Sequence, residues 1–204
     1  MYSSLPAAKI MTGTGAAADA DTPPILIELT KKAHFCRFLE KEFNAARTEA
    51  EKEAVQTILL NHPGHCLGYR VGYGQRSVCY ITDNELEPPG KVATRYDQWV
   101  EFCRGVDVLI HDAQYLESDM PHKHGWGHSL VAQVRQLAVD AEVGCLAMFH
   151  HDPDRTDAEI DFIQQENDNF FRGMRAPSQS ICAAEQMQIR LTPRQGQTTL
   201  IDVS

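Results

Sequence analysis

The stretch "ILLNHPGHCLGYRVGYGQRSVCYITDNE", residues 58–85, decides the fold. It holds strand-like runs separated by glycine and arginine, and its Gly-Tyr-Gly-Gln segment at 72–75 is typical of a hairpin turn. His62 and His65 stand at the edge of the first run, and Asp83 closes the last one. A strand that only packs in a sheet has no need of imidazole and carboxylate groups at its ends. The stretch therefore predicts a β-hairpin with functional histidine and aspartate side chains at its strand ends.

Buried strands alternate with helices after this hairpin. The runs "VDVLI" (106–110) and "VGCLAMF" (143–149) are continuously apolar, which is typical of strands buried on both faces. The alternation predicts an α/β class, close to α+β, in which a mixed sheet has helices packed on it. Further strands are predicted at 25–29, 55–61, 66–72, 76–82, 187–191 and 198–202, and further helices at 33–53 and 94–105.

Two more helices follow from residue spacing. Apolar residues at helical spacing predict a helix with Ser129 as its N-cap. The capping box "TDAE" at 156–159 predicts another helix, which continues to about residue 174. The inward faces are predicted to carry Leu130, Val134, Leu137 and Ala141 in the first helix, and Ile160, Ile163, Phe170 and Met174 in the second.

Composition limits the possible functions. The chain has 204 residues and a net charge of -9, so bulk electrostatics give no help in binding nucleic acid, and any such activity must rest on a local site. Small, polar residues at 1–24 predict a poorly ordered leader before one domain at 25–204. Six cysteines without a CxxC pair predict buried, reduced thiols. Without a secretory signal or a membrane-length apolar run, the expected location is cytoplasmic.

Histidines and aspartates gather where the predicted strands end. In open sheets, ligands bind beyond strand ends, so these side chains are expected to share a rim. Two imidazoles and a carboxylate from separate strands are good ligands for zinc, manganese or iron. Periodicity leaves open which of them lie side by side. The residues concerned are His62, Asp83, His111, Asp112, His150 and His151.

Five motifs, in this order along the chain, resemble those of a known protein family. They are "LNHPGHCLGYRV", "YITDNE", "VDVLIHDAQY", "GWGHS" and "LAMFHHDP". Over residues 55–190 the chain resembles the C-terminal half of the metallo-β-lactamase-fold hydrolases, in their ribonuclease Z-like branch. The resemblance implies a divalent metal cofactor, zinc first, with manganese or iron as alternatives. It also implies hydrolysis of a phosphodiester or similar ester by metal-activated water, on a small-molecule or nucleic-acid substrate.

The resemblance assigns roles to five residues. His62 and His150 match metal-ligand histidines of the family, and Asp83 matches the aspartate that bridges two metals. His128 in "GWGHS" matches a histidine that assists at the scissile phosphate. Asp112 takes the place of a glutamate and would orient a catalytic or ligand histidine.

Each role has a structural alternative. His151 could replace His150, although the spacing after the strand favours His150. His128 could cap a helix, and Asp83 could form an ordinary turn. Trp126 is predicted as a packing anchor for its loop rather than a surface for substrate.

The chain also departs from the family. The HxHxDH loop that supplies four ligands is missing, so three of seven usual ligand positions are recognisable, and only one of the two expected sheets is visible in the sequence. Two hypotheses follow: a hydrolase or its C-terminal part, and a catalytically inactive member that serves as a binding or subunit module. A homodimer or a complementary N-terminal half is a possible partner, and no membrane association is expected.

Overall fold

The computed structural model describes residues 6–11, 25–31, 55–64, 66–73, 76–174, 177, 179–185, 187–191 and 201–203. These form two compact units. The predicted helix at 33–53 and His65 lie outside the described residues. The strands are β1 (Pro6–Met11), β2 (Ile25–Lys31), β3 (Val55–Leu59), β4 (Leu67–Tyr73), β5 (Arg76–Ile81), β6 (Val108–Asp112), β7 (Cys145–Phe149), β8 (Gln179–Cys182), β9 (Gln188–Leu191) and β10 (Ile201–Val203). The helices are α1 (Tyr96–Cys103), α2 (Val131–Asp140) and α3 (Asp157–Phe171), with a short 3-10 helix at Glu117–Asp119.

One unit carries a four-stranded sheet in the order β1-β2-β9-β10, in which each pair of neighbours is antiparallel. This sheet corrects the expectation of a single sheet. The pairing of β2 with β9 joins segments more than 150 positions apart along the chain, so no local pattern indicates that the four strands share a sheet. The structure also places β1 within the predicted leader at 1–24, whose other residues lie outside the described ranges.

The other unit carries a six-stranded sheet in the order β3-β4-β5-β6-β7-β8. The strands from β5 to β8 pair in parallel. Short connections join β3 to β4 and β4 to β5, which requires antiparallel pairing because a parallel crossover needs a dozen or more residues. The sheet is therefore mixed, and the predicted fold class is confirmed. The helices α1, α2 and α3 connect successive parallel strands, so β5, β6 and β7 end at the same edge.

The core of this unit surrounds the two central strands. Every residue of β6 and β7 is buried, which explains their continuous apolar sequences. Trp99 from α1 and Leu137 from α2 are fully buried in the same cluster as Leu109 and Leu146. None of the described helices has the length and apolarity needed to cross a membrane.

The α3 helix begins as predicted but turns a different face inward. Thr156 is its N-cap, and Thr156 and Glu159 form the capping box. Ile163 is buried as predicted, whereas Phe170 and Met174 are exposed. Asn167 and Phe171 take the buried positions instead, because they follow Ile163 at steps of four residues on one helical face. The polar Asn167 interrupts the apolar pattern of this face, which is why the sequence predicted the wrong inward face for the end of α3.

Ser129 does not cap α2. The N-cap is Leu130, and the Ser129 side chain turns inward toward the segment after β5. Its hydroxyl accepts the Leu86 N–H at 3.1 Å and donates to the Asn84 carbonyl at 2.6 Å. The residue therefore fastens the start of α2 to the segment that follows Asp83.

Every cysteine in the described ranges is a free thiol: Cys66, Cys79, Cys103, Cys145 and Cys182. Burial raises the pKa of Cys145 to about 12, so this thiol stays protonated. The prediction of buried thiols is confirmed for Cys79, Cys103 and Cys145, whereas Cys66 and Cys182 are only half-buried. Cys36 lies outside the described part of the chain.

Asn61 fixes the connection between β3 and β4. Its buried side chain accepts the N–H groups of Ala93 and Thr94, both at 2.9 Å, and donates to the Thr94 carbonyl at 2.8 Å. Its backbone N–H donates to the Asn84 side chain at 2.9 Å, and its carbonyl accepts the Glu85 N–H at 3.0 Å. These bonds join the residue before His62 to the segment after Asp83.

We expect Asn61→Ala to lower the free energy of unfolding by about 3 kcal/mol, because three side-chain hydrogen bonds are lost and backbone groups are left unsatisfied. Urea denaturation measures the change. The matched control is Asn169→Ala, which removes an exposed asparagine whose side chain accepts one bond from Arg172. A loss below about 0.5 kcal/mol for Asn61→Ala, the usual range for a surface change, would contradict the structural role.

Candidate metal centre

Asp83 and His150 stand just beyond the ends of two parallel strands. β5 ends at Ile81 and β7 at Phe149, so both residues lie at the same edge of the sheet. Both have a φ of 57°, in the left-handed region that non-glycine residues rarely adopt. Such backbone conformations concentrate at functional sites. The Nε2 atom of His150 lies 3.5 Å from the Oδ1 atom of Asp83.

His128 completes a group of three potential ligands. It precedes α2, and its ring centroid lies 4.7 Å from that of His150. One ligand atom each from Asp83, His128 and His150 lies within 4.8 Å of the others. The side chains are 9%, 14% and 10% exposed, so the group is largely buried but open on one side. One carboxylate and two imidazoles are a donor set that suits zinc, manganese or iron.

Asp112 orients His128. Its Oδ2 atom lies 2.9 Å from Nδ1 of His128. Burial raises the pKa of the Asp112 carboxyl, but hydrogen bonds from His111 and His128 outweigh it, so the pKa lies below its ordinary value. An ionised carboxylate only accepts hydrogen bonds, so Nδ1 of His128 carries the proton. The lone pair of His128 Nε2 is then available to an ion, as in carboxylate–histidine–metal arrangements.

A buried chain of hydrogen bonds continues behind Asp112. The Nδ1 atom of His111 donates to the Asp112 carbonyl at 2.7 Å and lies 3.1 Å from its Oδ1 atom. The other ring nitrogen of His111 accepts from the Asn84 amide at 3.4 Å. His111 is therefore a buried partner of Asp112 and lies one step away from the group of three.

His62 lies at the margin of the group. Its ring centroid is 5.7 Å from that of His128, and the group of three does not include it. Its Nδ1 atom accepts the Gly64 N–H at 3.1 Å, which places the proton of the neutral ring on Nε2. A β-carbon on Gly127 would lie 2.4 Å from Cδ2 of His62, so this close contact requires glycine.

Glu85 holds the loop that delivers His128. Its buried carboxylate accepts the N–H groups of Gly125 at 2.8 Å and Gly127 at 2.9 Å. Both glycines have positive φ, 88° and 91°. Sequence reasoning missed Glu85, although the Gly-Trp-Gly spacing and an acidic residue two positions after Asp83 were available signals.

Two ion pairs also hold the loops of this site. Lys123 bonds to Asp152, which lies two residues after His150, and Arg155 bonds to Asp119. The Lys123 ammonium also lies 5.0 Å from the centroid of the Tyr115 ring. Together these contacts connect the segment before His128 to the segment after His150.

The remaining aromatic and imidazole side chains lie outside the group of three. His151 follows His150 but is not a member of the group. His124 bonds through Nε2 to the Glu87 carbonyl at 3.1 Å, and His122 is exposed. Trp126 is 61% exposed, so the prediction that it anchors its loop by packing is wrong.

Comparison with known proteins identifies the family. The model of the beta-lactamase superfamily domain matches residues 27–151, which is more than half of the chain. The chain belongs to this superfamily. A metallo-beta-lactamase fold protein of known structure, YhfI from Bacillus subtilis, shares 17% identity at a TM-score of 0.51, over 67% of this chain and 48% of that one. The structural similarity to YhfI supports the assignment of a metallo-beta-lactamase fold to this chain.

Ribonuclease Z proteins are similar to part of the chain. The protein from Thermoplasma acidophilum is 39% identical over 64 residues, which are 31% of this chain and 21% of the relative. The protein from Halalkalibacterium halodurans is 41% identical over 51 residues, or 25% of this chain and 16% of the relative. The chain thus matches only about a fifth of the length of these relatives.

We expect Glu85→Gln to loosen the loop at 125–127, because an amide has one acceptor oxygen where the carboxylate offers two. Hydrogen exchange of the Gly125 and Gly127 amides, followed by NMR, should be at least about 10-fold faster than in the unchanged protein, as expected for the loss of one charge-assisted bond. The control is Glu87→Gln, an exposed neighbour whose side chain bonds to Gln133. Equal exchange in both variants would contradict the role given to Glu85.

Proposed function

We propose that this chain is a metal-dependent hydrolase, or the part of one, that acts on phosphodiesters or similar esters. One observation carries the proposal: ligand atoms of Asp83, His128 and His150 meet within 4.8 Å at the edge where parallel strands end. Superfamily membership supports the same chemistry. The partial similarity to ribonuclease Z proteins favours a phosphodiester over other esters.

We further propose zinc as the cofactor, with manganese or iron as alternatives, held by Asp83, His150 and His128. A divalent ion held by these residues would lower the pKa of bound water toward ~7, which would provide a nucleophile at neutral pH. Asp112 keeps the Nε2 lone pair of His128 directed to the ion through its bond to Nδ1. His62 offers an Nε2–H that can donate to an oxygen of the substrate on which negative charge develops.

This proposal exchanges two predicted roles. The resemblance predicts His62 as a ligand and His128 as the residue that assists at the phosphate. The hydrogen bonds favour the reverse, because Nδ1 of His128 donates and Nδ1 of His62 accepts. For His62 to bind an ion through Nε2, its proton would have to move to Nδ1, and the bond from Gly64 would be lost.

Three ligands make an open mononuclear site. Because the sequence contains no HxHxDH loop, we propose that ligands for a second ion come from a partner subunit or a complementary N-terminal half. We propose the cytoplasm as the location, because reduced thiols such as Cys79 and Cys103 suit a reducing compartment.

Metal uptake tests the site directly. We expect the purified chain to bind about one equivalent of Zn²⁺, and we expect Asp83→Asn, His128→Ala and His150→Ala each to weaken binding by 10-fold or more, since each removes one of three ligands. Isothermal titration calorimetry measures the affinity. His62→Ala is the matched comparison, and its binding should stay within about threefold of the unchanged protein. A strong loss in His62→Ala with none in His128→Ala would restore the roles that the resemblance predicted.

Hydrolysis tests the activity. We expect the zinc-loaded chain to release 4-nitrophenol from bis(4-nitrophenyl) phosphate, and His62→Ala to lower kcat by about 100-fold, the usual cost of removing a group that stabilises charge in the transition state. Absorbance at neutral pH follows the reaction. Absence of turnover at full metal occupancy would refute the hydrolase and favour the binding module.

A further inference from the structure

An exposed tryptophan stands next to the candidate metal centre. Trp126 is 61% exposed, whereas Trp99, the other tryptophan of the chain, is fully buried. Trp126 precedes the Gly127-His128 pair, so it is two residues from a proposed ligand. A tryptophan ring that is left in water near a polar site offers a large apolar face on which a ligand ring can stack.

The backbone that carries Trp126 is fixed. The amides on both sides of it, those of Gly125 and Gly127, donate to the buried Glu85 carboxylate. The Trp126 amide itself donates to the Lys123 carbonyl at 3.3 Å. Three successive amides are therefore hydrogen-bonded, so binding to Trp126 would not have to order this backbone first.

Two cavities lie beside this loop. One, of about 300 Å³, is bordered by Gly125 and Gly127 and also by His62, Lys91 and three prolines. The other, of about 320 Å³, is bordered by His128, His124 and Glu87, and neither lysine nor arginine is among its described lining residues. Each cavity is large enough for one organic arm of a small diester and too small for a folded nucleic acid.

The charge around the site opposes a polyanion. Residues 81–174 contain 18 Asp and Glu against 7 Lys and Arg, a net charge of -11. Six of those seven cations bond to protein side chains: Arg95, Arg104, Lys123, Arg135, Arg155 and Arg172. Within this fully described segment, Lys91 alone remains for an anionic ligand. One cation suits one phosphate group, whereas nucleic-acid binding requires several.

We propose that the substrate is a small phosphodiester with an aromatic arm, which stacks on Trp126 while Lys91 attracts its single negative charge. The net negative charge of residues 81–174 disfavours a polynucleotide. This inference rests on the proposed hydrolase and names the substrate class of the same site. Trp126 and Lys91 are its specificity residues, and neither belongs to the proposed metal ligands.

The test uses the zinc-loaded full chain and adenosine 3′,5′-cyclic phosphate as the probe. We expect the probe to quench the fluorescence of the exposed Trp126, and diethyl phosphate, which has no ring, to leave it unchanged. By calorimetry, Trp126→Ala should weaken binding of the probe about 30-fold, the value of one base–aromatic stack. Trp126→Phe should restore part of the affinity. Lys91→Gln should weaken binding about 10-fold, as expected for one charge-assisted bond.

The matched control for Lys91 is Arg172→Gln, an exposed cation just after α3, which should leave the affinity unchanged. Equal affinity of Trp126→Ala and the unchanged protein would overturn the inference. So would a 20-nucleotide poly(A) RNA that binds more tightly than the probe at 150 mM KCl.

A second readout separates this inference from the hydrolase itself. If bis(4-nitrophenyl) phosphate is hydrolysed while Trp126→Ala binds the probe normally, the substrate class is wrong and the hydrolase stands. If the probe stacks on Trp126 as expected but no phosphodiester is hydrolysed, the recognition is supported and the proposed activity fails.

Discussion

The parallel pairing of β5, β6 and β7 is the constraint on which the site depends. Because these strands run in the same direction, their carboxyl ends reach one edge, and the residues that follow them meet there without any long-range loop. Burial on both faces makes the strands rigid. The positions of Asp83 and His150 are restrained by these strands, since each residue lies within two residues of a strand end.

The third potential ligand reaches the same place by a different route. His128 sits on no strand, and its position depends on three polar side chains that are themselves buried: Glu85, Asp112 and Ser129. Glu85 and Ser129 join the loop before α2 to the segment after β5, and Asp112 joins the same loop to the end of β6. Burial strengthens such hydrogen bonds, so they favour one conformation of the loop.

Sequence reasoning recovered what local patterns encode. Continuous apolar runs gave β6 and β7, and the capping box located the start of α3 at Thr156. The strand-end rule placed Asp83 and His150 at a common edge together with four other residues, and it did not indicate which of the six lie side by side. It could not show that Ser129 turns inward or that Glu85 binds the amides of two glycines, because those bonds join residues 40 or more positions apart. The second sheet depends on the pairing of β2 with β9, which are more than 150 positions apart, so it escaped as well. The proposed exchange of roles between His62 and His128 rests on hydrogen-bond partners, which a sequence does not contain.

Because Gly127 packs against His62, only glycine fits at position 127. A φ of 91° disfavours every side chain, and a β-carbon would overlap the imidazole at 2.4 Å. Relatives that keep a functional site should keep glycine at position 127. The residue at position 126 should vary with the ligand that each relative binds. Position 127 is therefore expected to be conserved among relatives, whereas position 126 is free to vary.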